Sequence, residues 1–129
     1  MTIELFDARH LDGVVALCAA EGWTSWTHER AARALAAPGT TALVAVEGGS
    51  VVGVAHLLSD GEINAYLAIL AVDEEHRRSG VARRLVDELF ARTNAWRIDL
   101  LSTPEAMPFY RSFAHRDKPG FRLYPGDIP

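Results

Sequence analysis

One switch of period constrains this chain more than any other feature. The stretch "EINAYLAILAV", Glu62 to Val72, reads as a strand, and from Gly80 onward Val81, Leu85, Val86, Leu89 and Phe90 recur at helical spacing. Only the short charged segment "DEEHRRS" separates the two. A strand that turns directly into an amphipathic helix predicts a βα unit, and with it a sheet covered by helices. The stretch "HRRSGVARRLV", His76 to Val86, also gathers four arginines around that turn, in a chain whose net charge is −4. What those arginines serve is the main question the sequence poses.

The remaining elements fall around this unit. "TIELF" alternates as a first strand, and Asp7 can cap a helix over "ARHLDGVVALCAAEG", where Leu11, Val14, Val15, Leu17 and Cys18 share a face. Thr27 is placed as the N-cap of a second, Ala-rich helix that Pro38-Gly39 stops. The run from Thr40 to Val72 reads as a meander of three strands, with Gly48-Gly49 as a tight hairpin and "SDG" as the second turn. "WRIDLLS" is a further strand. "PEAMPFYRSF" is a short helix opened by Pro104 and weakened by Pro108, and "GFRLYP" is a last strand. The predicted order is β-α-α-β-β-β-α-β-α-β. It defines an α/β fold (an α+β mixed sheet), with a central mixed sheet and helices on both faces. A length of 129 residues predicts one domain, 1–129, without linker or repeat.

Composition narrows the function. The acidic balance argues against a nucleic-acid-binding protein built on the arginines, since such domains carry a basic excess. Cys18 is the only cysteine, so no internal disulfide forms; it sits among apolar residues in "VVALCAA" and reads as buried filler in a reducing compartment. With no leader-like start and no apolar run near membrane-spanning length, the expected location is cytoplasmic, away from membranes. "DEEH" and the scattered His10, His28, His56 and His115 lack the spacing of a metal site, so none is expected.

A helix that begins straight after a strand presents unpaired N–H groups and a positive dipole end, which together bind anions. Gly80 lets a phosphate approach the backbone, Ser79 can cap the helix or donate a hydroxyl, and Arg77 and Arg78 can fork onto phosphate oxygens. The turn therefore reads as a diphosphate cradle. It is neither of two common ones: no lysine follows Gly80 as a P-loop requires, and one glycine cannot make G-x-G-x-x-G. For Arg83 and Arg84 the competing reading is a solvated face paired with Asp87 and Glu88 at i,i+4.

"LAVDEEHRRSGVARRLV" resembles the acyl-CoA-binding motif of the GNAT N-acetyltransferase superfamily, a strand ending in Val followed by a short loop and R/Q-x-x-G-x-G/A. Here Val72 is followed by Arg77-Arg78-Ser79-Gly80-Val81-Ala82. The strand order, the position of the motif and the later "AMPFYRSF" are also similar to that family. The resemblance implies that backbone amides from Arg78 to Ala82 bind the coenzyme A diphosphate. It implies that Leu70, Ala71 and Val72 pair with pantetheine as an added strand would, on a bulged strand that splays from its neighbour. A backbone N–H near Leu70 or Val72 would then polarise the thioester carbonyl.

The resemblance also supplies chemistry for acyl transfer from acetyl-CoA to an amine. Tyr110 matches the tyrosine that protonates the departing thiolate; without that match, Phe109-Tyr110 reads rather as a pair of core aromatics on a helix. The family continues Y-x-x-x-G-F, whereas Ala114-His115 stand there in this chain and Gly120-Phe121 come later. The family's strand glutamate falls at Tyr66. On an extended strand Ala68, Tyr66, Asn64 and Glu62 share a face, so Glu62 is a possible base through a water, against a solvated strand end. Asp60 is a weaker choice, and an amine arriving partly deprotonated needs no base. Trp23 and Trp26 lie in the segment that covers the acceptor site in the family and can stack on an amine, or instead wedge into the core. The expectation is an acetyl-CoA-dependent N-acetyltransferase acting on a small primary amine by direct transfer, without metal; the resemblance also allows a homodimer. The alternative is a module that binds acyl-CoA or another phospholigand without catalysis.

Overall fold

Gly48 and Gly49, between two apolar runs, have φ of 58° and 80°. Such a pair matches the twist of a two-residue hairpin, and it joins β2 (Thr40–Glu47) to β3 (Ser50–Ser59) in antiparallel register from Glu47↔Ser50 to Thr40↔Leu58. The computed structural model describes all residues, Met1–Pro129. Its contacts divide into two compact units, Met1–Asp99 and Leu100–Pro129.

In the first unit the sheet order is β1-β2-β3-β4-β5, with β1 at Thr2–Leu5, β4 at Asn64–Val72 and β5 at Arg97–Asp99. The first four strands pair antiparallel, while β5 pairs parallel to β4. A parallel pair needs a crossover, and α3 (Val81–Arg92) supplies it. The helices α1 (Leu11–Ala20) and α2 (His28–Leu35) cover one face. There Val14, Leu17, Cys18, Ala31 and Leu35 pack on Ala42, Val44, Val54, Ile69 and Ala71. By alternation Leu43, Ala45, Ala55 and Leu57 turn to the other face, which α3 covers with Val81, Leu85, Val86 and Leu89. Phe90, expected on that apolar face, is instead half exposed at the rim of the stripe. Cys18 is wholly buried, and its thiol is pushed up to about 11 by desolvation and then by Glu21, so it is inert filler.

Two glycines set how closely the helices lie on the sheet. A Cβ on Gly53 would sit 3.0 Å from Val81 and 3.1 Å from Leu85, so α3 docks with its first turn directly over β3. A Cβ on Gly13 in α1 would fall 2.7 Å from the Val51 Cβ. Alanine is worth about 1 kcal/mol more than glycine within a helix, yet overpacking costs about 1–3 kcal/mol. Gly13→Ala is therefore expected to lower the urea midpoint despite its better propensity; a raised midpoint would mean that α1 is free to move off the sheet.

The second unit contains α4 (Met107–Arg111), entered through a 3-10 turn at Pro104–Ala106 that Thr103 caps. Pro108 lies in the first turn of α4, where its missing N–H would have no partner anyway. It thus divides the predicted helix rather than abolishing it. The last predicted strand, "GFRLYP", does not form: residues 120–125 have no ladder partner, and Phe121 and Leu123 are 85% and 87% exposed. Alternation alone confers no hydrogen bonds, and no strand in its own unit offers an edge. "WRIDLLS" is likewise cut to the three residues that pair with β4. No helix is long and apolar enough to cross a membrane, and no group of three or more His, Cys, Asp or Glu is placed to hold a metal.

Candidate functional site

The end of β4 has one paired edge and one open edge. On the β3 side the ladder runs to Val72, whereas β5 pairs only with Asn64–Tyr66. The register shifts between His56↔Ile69 and Leu57↔Leu67, which leaves Ala68 as the extra residue of a bulge. Asp73 donates its N–H to the Val52 carbonyl of β3 at 2.8 Å. Alternation then directs the N–H and C=O groups of Leu70 and Val72 away from β3, toward the open edge. Ala71 turns its polar groups the other way, into the ladder, and its side chain into the core. A linear ligand with amides can therefore add to Leu70 and Val72 as a strand would.

The loop that follows is held at several points. Glu74–His76 form a 3-10 turn. His76 lies between two carboxylates, its Nδ1 2.9 Å from Asp73 and its Nε2 2.9 Å from Glu47 at the end of β2. The hydrogen bond that His76 donates to Asp73 chiefly, with the charges of Glu47 and Asp73, raises its pKa above the ordinary 6.5. A raised pKa means that this contribution is complete below pH 6.5 and is lost as the pH climbs through the folded-state value. Protection factors of the amides at residues 77–80, which remove the base catalysis of exchange itself, are expected to fall over that alkaline interval in the wild type but not in His76→Gln. An NMR titration placing the His76 pKa at or below that of a free histidine would refute the clamp.

The arginines of the turn do different things. Arg77 does not face outward to an anion: its Nη2 donates to Glu21 at 2.6 Å and its Nε to the Val72 carbonyl at 3.2 Å, tying the loop to the end of α1 and to β4. Ser79 donates its hydroxyl to the His76 carbonyl and so closes the 3-10 turn instead of capping α3. Arg83 pairs with Asp87 at 3.5 Å as expected. The expected Arg84–Glu88 pair does not form, because Glu88 bonds Arg92 at 2.9 Å; an acid four residues before a base is the better orientation. Arg78 and Arg84 have no ion-pair partner.

The backbone here has the shape of an anion cradle. Arg78 is the only non-glycine residue with positive φ, at 63°, and Gly80 has φ 85°. Gly80 is the N-cap of α3, and the first N–H to bond back within the helix is that of Arg84, to the Gly80 carbonyl. The N–H groups of Val81 and Ala82 therefore have no intrahelical acceptor. A Cβ built on Gly80 meets nothing within 4 Å, so the space above the turn is open.

The acid–base residues are placed as follows. Tyr110 is in α4, half-buried, with its ring edge-on to Phe109 at 5.1 Å and 70°. Desolvation raises its pKa above the ordinary 10, so the phenol stays protonated at neutral pH. Glu62 is exposed in the turn before β4, outside the strand whose alternation was to aim it. The strand from Asn64 to Leu70 alone spans about 20 Å at roughly 3.3 Å per residue, so Glu62 is far from Leu70. Asp60 is no base either. Its Oδ1 accepts the N–H groups of Glu62, Ile63 and Asn64 at 2.8–3.1 Å, and those bonds lower its pKa to about 2. Tyr66 is partly exposed opposite Leu58, on the sheet face that carries α1 and α2.

Trp23 is exposed, while Trp26 packs partly against the core and meets His56 edge-on at 6.0 Å and 87°. His56 has no feature in "VVGVAHLL" that distinguishes it from an ordinary strand histidine. It is 3% exposed on β3, beside the bulge, and neither ring nitrogen makes a hydrogen bond. Burial lowers its pKa; the Ala34 carbonyl opposes this weakly from outside hydrogen-bonding geometry. An unsatisfied buried polar group costs about 1–3 kcal/mol, so this imidazole is not there for stability.

The acetyltransferase (GNAT) domain family matches residues 12–121. No curated protein matches the chain. Among solved structures, a GNAT family acetyltransferase from Streptococcus pneumoniae is 26% identical over 98% of both chains, with a TM-score of 0.80. An aminoglycoside 6'-N-acetyltransferase from Acinetobacter haemolyticus aligns over 100% of both chains at 16% identity and a TM-score of 0.78. A ribosomal-protein-alanine N-acetyltransferase from Brucella melitensis biovar Abortus aligns over 97% of this chain and 99% of its own at 18% identity and a TM-score of 0.77. With an open β4 edge running into a left-handed glycine turn, and with this match across most of its length, the chain belongs to the GNAT acetyltransferase family. It is an acetyltransferase; the family implies acetyl-CoA as cosubstrate and an acceptor for the acetyl group.

Proposed function

We propose that this protein transfers an acetyl group from acetyl-CoA directly to the nitrogen of a small primary amine. The observation that carries the reading is the continuity of the open β4 edge with the turn at Arg78–Gly80, two unlike binding surfaces joined within ten residues of chain. The N–H groups from Arg78 to Ala82, with the free Arg78 guanidinium, hold the diphosphate. The polar groups of Leu70 and Val72 take the pantetheine amides. The Val72 carbonyl keeps a lone pair for this beside its bond from Arg77.

In the reaction the amine nitrogen attacks the thioester carbon and the C–S bond breaks. The amine loses one proton and the CoA sulfur gains one, leaving an acetamide and a free thiol. An N–H of Leu70 or Val72 stabilises the oxyanion, and Tyr110 donates the proton to sulfur. Trp23, Trp26 and Tyr66 bound the acceptor. Glu62 is too distant to take the amine's proton, so the amine enters in its neutral form. Free thiol release from acetyl-CoA, measured across a panel of amines, tests the reading. Acetyl-CoA binding with no thiol release for any amine would leave only a binding module, and absence of binding would refute both.

A further inference from the structure

The cleft beside α2 has a volume of about 510 Å³ and is lined by Ser25, Trp26, Arg30, Arg33 and Ala34. Arg9, Arg77, Arg83, Arg92 and Arg111 each have a carboxylate partner. Arg30 and Arg33, one helical turn apart, have none, although the chain is acidic overall. Two like charges at i,i+3 repel each other, and an anion lying between them would relieve that repulsion.

A plain solvated face does not explain what lies behind this cleft. The buried, unbonded His56 ring touches Trp26 edge-on and faces Ala34, two of the five residues that line it. His56 pairs with Ile69 next to the Ala68 bulge, and Trp26 and Ala68 both pack on the core beneath α2. The cleft is therefore on the same sheet face as the irregular part of β4.

We infer that this cleft takes the anionic end of the acceptor: the amine to be acetylated also carries a carboxylate or phosphate, held by Arg30 and Arg33, with its apolar part against Trp26. The assignment to an acceptor rests on the acetyltransferase reading above. Guanidinium forks suit either anion, and they disfavour polycationic amines by charge.

The test is calorimetric titration of the purified protein with two matched pairs, L-phenylalanine against 2-phenylethylamine and O-phosphoethanolamine against ethanolamine, with spermidine as the polycation. In at least one pair the anionic member is expected to bind tenfold or more tightly than its counterpart, and the responding pair tells carboxylate from phosphate. The R30A/R33A variant, altered only at exposed positions, is expected to lose that preference while keeping its melting temperature and its acetyl-CoA affinity. No preference in either pair, a preference that survives in the variant, or tighter binding of spermidine would overturn the inference. Thiol release is scored separately. Anion-dependent binding without release keeps the cleft and removes the catalytic reading, whereas release with spermidine alone does the reverse.

Discussion

Tyr110→Phe is expected to lower kcat at neutral pH by about 10²–10³-fold while leaving the Kd for acetyl-CoA unchanged, since a positioned proton donor contributes on that scale. A thiol has a pKa near 8.5 and a tyrosine one near 10, and burial raises that of Tyr110 further. Full transfer of the proton to a free thiolate is therefore uphill. The phenol contributes by donating as charge builds on the departing sulfur, not before. The pH dependence follows from this order. Above about pH 8.5 the thiolate leaves without a proton, so the difference between wild type and variant should narrow there. Phenylalanine keeps the edge-on contact with Phe109, so the melting temperature should hold. Equal rates at neutral pH would reduce Tyr110 to a packing residue.

Gly80→Val is expected to weaken acetyl-CoA binding by more than tenfold. Two effects add. A β-branched residue at φ 85° leaves the region that L side chains adopt, at about 1–2 kcal/mol for the left-handed conformation. Its side chain also fills the space above the turn, which holds no protein atom within 4 Å of the Cβ position. Gly80→Asn separates them, because asparagine tolerates the left-handed region but still fills the space. If the open space is where the diphosphate lies, the asparagine variant keeps its stability and loses affinity. Calorimetry with CoA that gave wild-type affinity for Gly80→Asn would place the diphosphate elsewhere.

Legibility from sequence varied with the range of the interaction involved. The hairpin at Gly48-Gly49, the cap at Thr27 and the start of α3 at Gly80 depend on backbone preferences within a few residues, and all three stand as read. The family motif was legible for the same reason, since strand, turn and helix are contiguous. Errors arose where residues far apart in the chain compete for one partner. Arg77 read as a phosphate ligand because its partner Glu21 lies 56 residues away. Glu62 is a local exception: strand alternation placed it on the β4 face, but Asp60 accepts the N–H groups of Glu62, Ile63 and Asn64 and so holds Glu62 in the turn that follows it. The bulge at Ala68 was implied by the family alone, since only the β3 register reveals which residue is extra.

The chain's own order of residues determined the succession of strands and helices as far as α4, the βα turn and the acetyltransferase family, because short-range sterics and periodicity act before any tertiary contact exists. The three-dimensional packing alone decided that Arg77 is a tie, that residues 120–125 lack a strand partner, and that a buried imidazole lies behind Trp26 and Ala34. The reason is that a hydrogen bond or ion pair goes to whichever partner the fold brings near, and that choice is not written in either residue by itself.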